Sequence, residues 1–147
     1  TIEAAMAQTR SNYSIDEQAI SLTGLSLGGY ATWIWGATKT DTFAALMPIC
    51  GGGSLLDLKV KMPIVDEKAF GSIDERVQKL KTIPIWAFHG ADDSVVPAAR
   101  SRDIVERVKK AGGSVRYKEF KDTGHNSWDQ AYEYKRGITW LLKQRKK

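Results

Sequence analysis

The chain has 147 residues, 42% of them hydrophobic and 27% charged, a balance typical of one globular domain and not of a disordered chain. Its net charge of +5 comes from basic residues scattered among 17 acidic ones, apart from a terminal KQRKK, so we expect no nucleic-acid partner. The longest apolar runs have the length of strands, which predicts no membrane partner.

Strand and helix signals alternate along the chain. In order they predict a helix over 4–13, a strand over 19–24, a helix over 28–39, a strand over 43–50, a mixed loop over 54–71, a short helix over 73–80, a strand over 84–89, a helix over 97–111, a strand over 114–120 and a last helix over 127–143. This order predicts an α/β fold: a mostly parallel sheet of about four strands with helices on both faces, in a single domain 1–147.

Residues 24–28, which read GLSLG, fit the pattern G-x-S-x-G between a predicted strand and a predicted helix, as this motif requires. In so tight a turn we expect side chains at Gly24 and Gly28 to collide and Ser26 to adopt a strained backbone. The turn raises the serine hydroxyl above the sheet and leaves the backbone N–H of Leu27, at a helix N-terminus, free to bind a developing oxyanion. A glycine-rich helix start in another kind of α/β protein is the alternative interpretation. A phosphate loop is disfavoured because no glycine pattern typical of one is present.

A serine hydroxyl needs a base to remove its proton, and the chain contains two histidines, His89 and His125. In proteins with this motif the acid and then the histidine follow the serine. His125 lies in DTGHNSW, between the fourth predicted strand and the last helix, where the base is expected. His89 closes an apolar strand, so we expect it to be a structural residue beside the loop that carries the acid.

The acid should accept a hydrogen bond from the histidine ring and so determine its tautomer. The candidates are Asp92 and Asp93, which follow the strand of His89, with Asp122 a weaker choice because it precedes the histidine loop. Residues 89–97, HGADDSVVP, resemble the pattern H-G-x-x-D-x-x-V-P of many α/β-hydrolase esterases. This resemblance places the acid at Asp93 and leaves Asp92 as a turn residue that caps local backbone groups.

Further stretches carry the same resemblance: YSID at 13–16, LTGLSLGGY at 22–30, residues 43–53, IPIWAFHG at 83–90, KAGG at 110–113 and GHNSW at 124–128. The chain is similar to the C-terminal two-thirds of the esterase, dienelactone-hydrolase-like and "predicted peptidase" (phospholipase/carboxylesterase) group of the α/β-hydrolase superfamily. The resemblance implies a truncated, minimal α/β-hydrolase fold. It also implies hydrolysis of small carboxylic esters through an acyl-enzyme on Ser26, without a metal or an organic cofactor.

Members of that group also have N-terminal strands and a loop that supplies a second oxyanion N–H, and this sequence begins at the helix before the nucleophile strand. We therefore expect modest activity on short-chain esters, with Leu27 as the visible oxyanion donor. The strand 19–24 is expected to form a bare sheet edge, which predicts a homo-oligomer through that edge or a fragment of a longer polypeptide. A catalytically weak or inactive remnant that serves assembly or binding is the alternative function.

The remaining predictions concern single residues and the compartment. Trp128, three residues past His125, is a candidate wall of a substrate pocket, with packing at the start of the last helix as the alternative. Tyr132 and Tyr134 are expected on the exterior of the last helix or against a neighbouring chain. Cys50 ends an apolar run, so we expect a buried, inert thiol, and a single cysteine excludes an internal disulfide. The opening TIEAAMAQTR lacks the pattern of a signal peptide, which makes the cytoplasm the expected compartment.

Overall fold

The computed structural model describes residues 1–55 and 67–146, so most of the predicted loop over 54–71 lies outside the described residues. The described elements are, in chain order, α1 Ile2–Asn12, β1 Ser21–Leu25, α2 Leu27–Thr38, β2 Ala45–Ile49, a 3₁₀ turn Glu67–Phe70, α3 Ile73–Leu80, β3 Ile85–Gly90, α4 Ala99–Lys110, β4 Val115–Phe120, α5 Trp128–Glu133 and α6 Lys135–Leu142. Among these described residues, no helix is long and apolar enough to cross a membrane.

The four described strands form one parallel sheet in the order β1-β2-β3-β4. The predicted architecture of a mostly parallel sheet is therefore confirmed. Because the strands run in the same direction, their carboxyl ends meet at one edge, where ligand sites of such sheets form. The loops that follow β1, β2, β3 and β4 carry Ser26, Cys50, Asp93 and His125, so the topology itself brings these four residues to one end of the sheet.

Apolar residues cover both faces of the sheet, as expected of parallel strands. On one face the helices α2, α3 and α4 pack over Leu46, Ile85, Ala87 and Val115. On the other face α5 and α6 pack over Met47, Ile49, Phe88 and Phe120. Successive residues of β3 alternate between these two cores because successive side chains of a strand point to opposite faces. The predicted helices on both faces are thus confirmed.

The last helix differs from the prediction of one continuous helix over 127–143. It is interrupted at Tyr134, whose backbone angles of φ −71° and ψ 90° are not helical. The Tyr134 ring lies 5.9 Å from the rings of Trp86 and Phe88 and 6.4 Å from that of Phe120. The break turns this side chain into the aromatic core, so the predicted exterior position is wrong for Tyr134, while Tyr132 is exposed.

Candidate active site

The connection between β1 and α2 is a sharp turn centred on Ser26. Its backbone angles are φ 52° and ψ −118°, a conformation that a residue other than glycine adopts only when its surroundings impose it. The Ser26 N–H lies 3.0 Å from the carbonyl oxygen of Ile49 and 3.2 Å from Sγ of Cys50. The end of β2 therefore holds the turn, and the strained backbone expected for this serine is present.

The glycines around Ser26 have unequal roles. A Cβ at Gly24 would lie 2.4 Å from the carbonyl oxygen of Gly28, so the expected collision exists there. At Gly28 a Cβ would meet nothing within 4 Å, so the expected collision at that position is wrong. The tight position is the next one: a Cβ at Gly29 would lie 2.3 Å from the carbonyl oxygen of Ile49. Gly28 faces open space, whereas α2 contacts the end of β2 closely at Gly29. This contact was not predicted from the sequence, although the adjacent glycines at 28 and 29 were a visible signal for it.

The Ser26 hydroxyl lies at the ring of His125. Oγ is 2.9 Å from Nε2, within hydrogen-bond distance, although 99 residues separate the two in the chain. His125 lies in the loop between β4 and α5, and its ring stands edge to face with that of Trp128 at a centroid distance of 5.5 Å. The predicted nucleophile and the predicted base are therefore neighbours, and Trp128 is beside them.

Asp93 completes a continuous chain of hydrogen bonds from Ser26. Its Oδ2 lies 2.8 Å from Nδ1 of His125, and its side chain is fully buried. Its Oδ1 accepts hydrogen bonds from the backbone N–H groups of Val95 (2.9 Å) and Val96 (2.8 Å). Burial acts to raise the pKa of Asp93, but the hydrogen bonds from His125, Val96 and Val95 together hold that pKa below its ordinary value. Asp93 is thus kept ionised as an acceptor for His125.

The other two candidate acids lie elsewhere. Asp92 is exposed, and its backbone N–H bonds to the carbonyl oxygen of Thr123. The capping of local backbone groups that we expected of the Asp92 side chain is performed by the carboxylate of Asp93 instead. Asp122 is an exposed turn residue with φ 50°. Of the three, Asp93 is the carboxylate that reaches His125.

His89 lies where the sequence predicts, at the end of β3 beside the acid loop. Its side chain is fully buried, and its Nε2 is 3.1 Å from the same Oδ2 of Asp93 that meets His125. The carbonyl oxygen of Val96 lies 2.8 Å from this nitrogen, and Ser101 Oγ lies 2.7 Å from Nδ1. The sequence carried no signal for the contact with Ser101, because α4 approaches the ring only in the folded chain.

Leu27 is the first residue of α2, so its backbone N–H has no acceptor within the helix and adds to the positive end of the helix dipole. This N–H directly follows Ser26, the location predicted for an oxyanion donor. Leu27 is 45% exposed, and Leu25, on the other side of Ser26 in the chain, is exposed as well.

Cys50 is buried, as predicted, and has φ 41°. Its Sγ, a carboxylate oxygen of Asp93 and a ring nitrogen of His125 all lie within 4.8 Å of one another, a grouping that could hold a metal ion. Burial raises the pKa of the Cys50 thiol, although the Ser26 N–H acts in the opposite direction. A metal needs the thiolate, and Asp93 and His125 already bond to each other, so these side chains fit a hydrogen-bond relay better than a metal site.

Comparison with known proteins places the chain in a family. The sequence profile of the prolyl oligopeptidase family matches residues 2–147. A poly(3-hydroxyalkanoate) depolymerase C of Paucimonas lemoignei is 29% identical over 136 residues, which are 84% of this chain and 32% of that protein. An acyl-protein thioesterase 1 of Gibberella zeae is 26% identical over 122 residues, 83% of this chain and 47% of that protein.

Among solved structures, that of a thermostable esterase is 35% identical and superposes with a TM-score of 0.80 over 99% of this chain and 36% of the other. The chain thus spans about a third to a half of the length of these relatives. They share the α/β-hydrolase fold, so the predicted resemblance and the predicted fold class are confirmed.

Proposed function

Because the chain belongs to the prolyl oligopeptidase family, we propose that it is a serine hydrolase that cleaves carboxylic esters. In this proposal Ser26 is the nucleophile, His125 the base and Asp93 the acid. The observation that carries it is the unbroken path from Ser26 Oγ to His125 Nε2, at 2.9 Å, and from His125 Nδ1 to Asp93 Oδ2, at 2.8 Å. A serine, a histidine and a carboxylate in this order and at these distances form the arrangement that activates a serine hydroxyl.

The tautomer of His125 follows from its partners. An ionised Asp93 can only accept, so Nδ1 of His125 carries the proton and donates to Oδ2. Nε2 is then left with its lone pair towards the Ser26 hydroxyl. In this form the imidazole is ready to act as a general base, and the negative charge of Asp93 stabilises the imidazolium that forms.

In the first half-reaction, Nε2 of His125 takes the hydroxyl proton as Ser26 Oγ attacks the ester carbonyl carbon. The electron pair of the carbonyl moves to its oxygen, and the Leu27 N–H donates to this oxyanion. When the tetrahedral intermediate collapses, the bond to the alcohol oxygen breaks. The alcohol leaves with the proton from His125, and the acyl group remains on Ser26.

In the second half-reaction a water molecule gives a proton to Nε2 of His125 and attacks the acyl carbon. The resulting intermediate breaks the bond to Oγ, and His125 returns the proton to Ser26. The products are a carboxylic acid and an alcohol, and the enzyme is restored. No step needs a metal or an organic cofactor.

Esters are proposed as substrates in preference to peptides for two reasons. The relatives of 26–35% identity are named as a depolymerase of a polyester, a thioesterase and an esterase, which all act on acyl–oxygen or acyl–sulfur bonds. Exposed Leu25 and Leu27 flank Ser26 in the chain and Trp128 stands against the His125 ring, so we propose that these apolar side chains contact a short acyl or alcohol group. We also propose the Leu27 N–H as an oxyanion donor, a kind of group whose loss typically costs about 10²–10³ in rate.

The β1 edge supports the alternative proposal, a binding or assembly role. Within the described residues β1 pairs with β2 alone. A groove of about 800 Å³ runs beside it, lined mainly by apolar residues of β1, α1 and α2 and by Phe70. Exposed edges of this kind pair with other strands. We propose a homo-oligomer through this edge. Light scattering after size exclusion tests it, and a monomer at micromolar concentration contradicts it. If this chain is part of a longer polypeptide and that polypeptide is monomeric, the groove is instead assigned to the additional segment.

Labelling with a fluorophosphonate tests the proposed nucleophile. We expect intact-mass analysis to show one adduct on the wild type, none on Ser26→Ala, and one on the control Ser14→Ala, which changes an exposed serine distant in the fold. Hydrolysis of a short-chain nitrophenyl ester should be lost in Ser26→Ala and kept in Ser14→Ala. Equal rates of wild type and Ser26→Ala, without an adduct, would favour the binding role.

A further inference from the structure

A second imidazole lies behind the relay, buried between β3 and α4. Nε2 of His89 faces two oxygens, Oδ2 of Asp93 at 3.1 Å and the carbonyl oxygen of Val96 at 2.8 Å. Nδ1 faces the hydroxyl of Ser101 at 2.7 Å, and this hydroxyl also lies 2.6 Å from the carbonyl oxygen of Gly51. A continuous path of polar contacts therefore runs from the Ser26 hydroxyl through both histidines to the backbone that follows β2.

Counting protons determines the tautomer of this ring. A carbonyl oxygen and an ionised carboxylate can only accept, so Nε2 of His89 must carry a proton, shared between Val96 and Asp93. Ser101 has one hydroxyl proton for two acceptors, Nδ1 and the carbonyl of Gly51. If the ring is neutral, the hydroxyl donates to Nδ1. If the ring is an imidazolium, Nδ1 donates to Oγ and the hydroxyl donates to Gly51.

Burial and hydrogen-bond geometry act in opposite directions on the charge of this ring. Burial lowers the pKa of His89, and the acceptors Val96 and Asp93 oppose this effect only in part. The 2.6 Å contact between the Ser101 hydroxyl and the Gly51 carbonyl oxygen has a proton only if Nδ1 donates to Oγ, which favours the imidazolium. In either form Nε2 carries a proton and is a donor beside Oδ2 of Asp93.

We propose that His89 is a positioning residue of the active site, which acts by donating its Nε2–H to the Asp93 oxygen that also holds His125. The proposal rests on the function proposed above. The Asp93 carboxylate then has four donors: Val95 and Val96 on Oδ1, and His89 and His125 on Oδ2. The hydrogen bond from His89 reduces the negative charge that Oδ2 presents to His125. It therefore weakens the stabilisation of the His125 imidazolium by Asp93.

Loss of this donor has a definite consequence. The two backbone N–H groups on Oδ1 keep the Asp93 carboxylate in place when His89 is changed. Oδ2 then has His125 as its remaining donor, so its charge attracts the imidazolium more strongly. We therefore expect the acidic limb of the kcat/KM profile to move to higher pH, by less than the roughly 1–3 units that a whole neighbouring charge produces. A residue that only fills space would leave this limb in place.

The tautomers can be read directly, because the chain contains only two histidines. In imidazole ¹⁵N spectra of the wild type at pH 7–8 we expect one ring protonated at Nε2, assigned to His89 by its loss in His89→Gln. We expect the other ring protonated at Nδ1. His89 protonated at Nδ1 alone would overturn the proposal whether or not the protein hydrolyses esters.

The kinetic test compares two variants at His89. The amide of His89→Gln can replace the Nε2–H donor, whereas His89→Leu fills the site without a donor. We expect the upward shift of the acidic limb in His89→Leu and the wild-type limb in His89→Gln, measured as kcat/KM for a nitrophenyl ester. An active wild type with the same limb in all three proteins overturns this inference and leaves the proposed function intact. If His89→Leu does not fold, the ¹⁵N spectra of the wild type still test whether Nε2 of His89 carries the proton that the proposal requires.

Discussion

Asp93 and His125 lie 32 residues apart in the chain, yet Oδ2 of the carboxylate is 2.8 Å from Nδ1 of the imidazole. The contact depends on the parallel sheet, which places the loop after β3 beside the loop after β4. It also depends on the backbone of the acid loop itself. Because Val95 and Val96 donate to Oδ1, the carboxylate can present only Oδ2 to the two histidines.

This geometry predicts a severe effect of Asp93→Asn. The two backbone N–H groups hold an oxygen at the Oδ1 position, so the amide NH₂ of asparagine is forced towards Nδ1 of His125. The ring must then accept at Nδ1 and carry its proton on Nε2, where it cannot take a proton from Ser26. We expect kcat to fall by about 10³–10⁴-fold while fluorophosphonate labelling slows in parallel.

Steady-state kinetics on a nitrophenyl ester measure this fall, with Asp92→Asn as the matched control on the exposed neighbour. A similar loss in Asp92→Asn would contradict the assignment of the acid.

The three glycines around Ser26 should respond differently to alanine. At Gly24 and Gly29 a Cβ would lie 2.4 and 2.3 Å from backbone oxygens, and backbone cannot give way as a side chain can. We expect a loss of about 1–3 kcal/mol or more in the free energy of unfolding for each of these two variants. Gly28→Ala meets open space in the first turn of a helix, so it should be neutral or stabilising by about 0.5–1 kcal/mol.

Urea unfolding curves for the three variants measure these differences. A Gly28→Ala variant as unstable as Gly29→Ala would refute the distinction.

Acidification should destabilise the fold in two ranges. Burial lowers the pKa of His89 below its ordinary value of 6.5, so the unfolded chain binds the proton first and stability is lost as the pH falls from 6.5 towards the folded pKa. For Asp93, burial raises the pKa but the hydrogen bonds from His125, Val96 and Val95 prevail and lower it. Its contribution is complete above 3.8 and is lost as the pH falls through the folded value.

Thermal unfolding between pH 4 and pH 7 checks the first range. His89→Gln, which cannot titrate, should show a flatter dependence of Tm on pH there. If Tm depends on pH as steeply in His89→Gln as in the wild type, His89 does not cause the loss of stability in this range.

The Cys50 thiol should be inert in the folded protein. Burial raises its pKa above the ordinary value of 9.0, and the buried sulfur offers no approach to a reagent. We expect no reaction with an aromatic disulfide reagent at pH 8 under native conditions and stoichiometric reaction in urea. Above pH 9.0 the unfolded chain loses the thiol proton first, so stability should decline there.

The free energy of unfolding at alkaline pH is measured for Cys50→Ala as the comparison. This variant has no thiol to ionise, so it should lose less stability than the wild type above pH 9.0. Rapid labelling of the native wild type would show that the sulfur is accessible.

The order of elements, the turn at Ser26 and the candidates for base and acid could all be predicted from the sequence. This was possible because these features depend on local patterns: apolar runs of strand length, glycines around a serine, and a histidine or aspartate directly after a strand. The interruption of the last helix at Tyr134 could not be predicted from the sequence. The aromatic core against which this ring packs is formed by β3 and β4, which are distant from Tyr134 in the chain.

The contacts that these residues make depend on the packing of the folded chain. Three features depend on contacts between separate elements. They are the close approach of α2 to β2 at Gly29 and not at Gly28, the hydrogen bonds of the Asp93 carboxylate to two backbone N–H groups and two histidines, and the contact of Ser101 with His89. Such contacts are set by how α2 and α4 pack on the sheet. Because packing distances of a few tenths of an ångström decide them, no pattern along the chain encodes them.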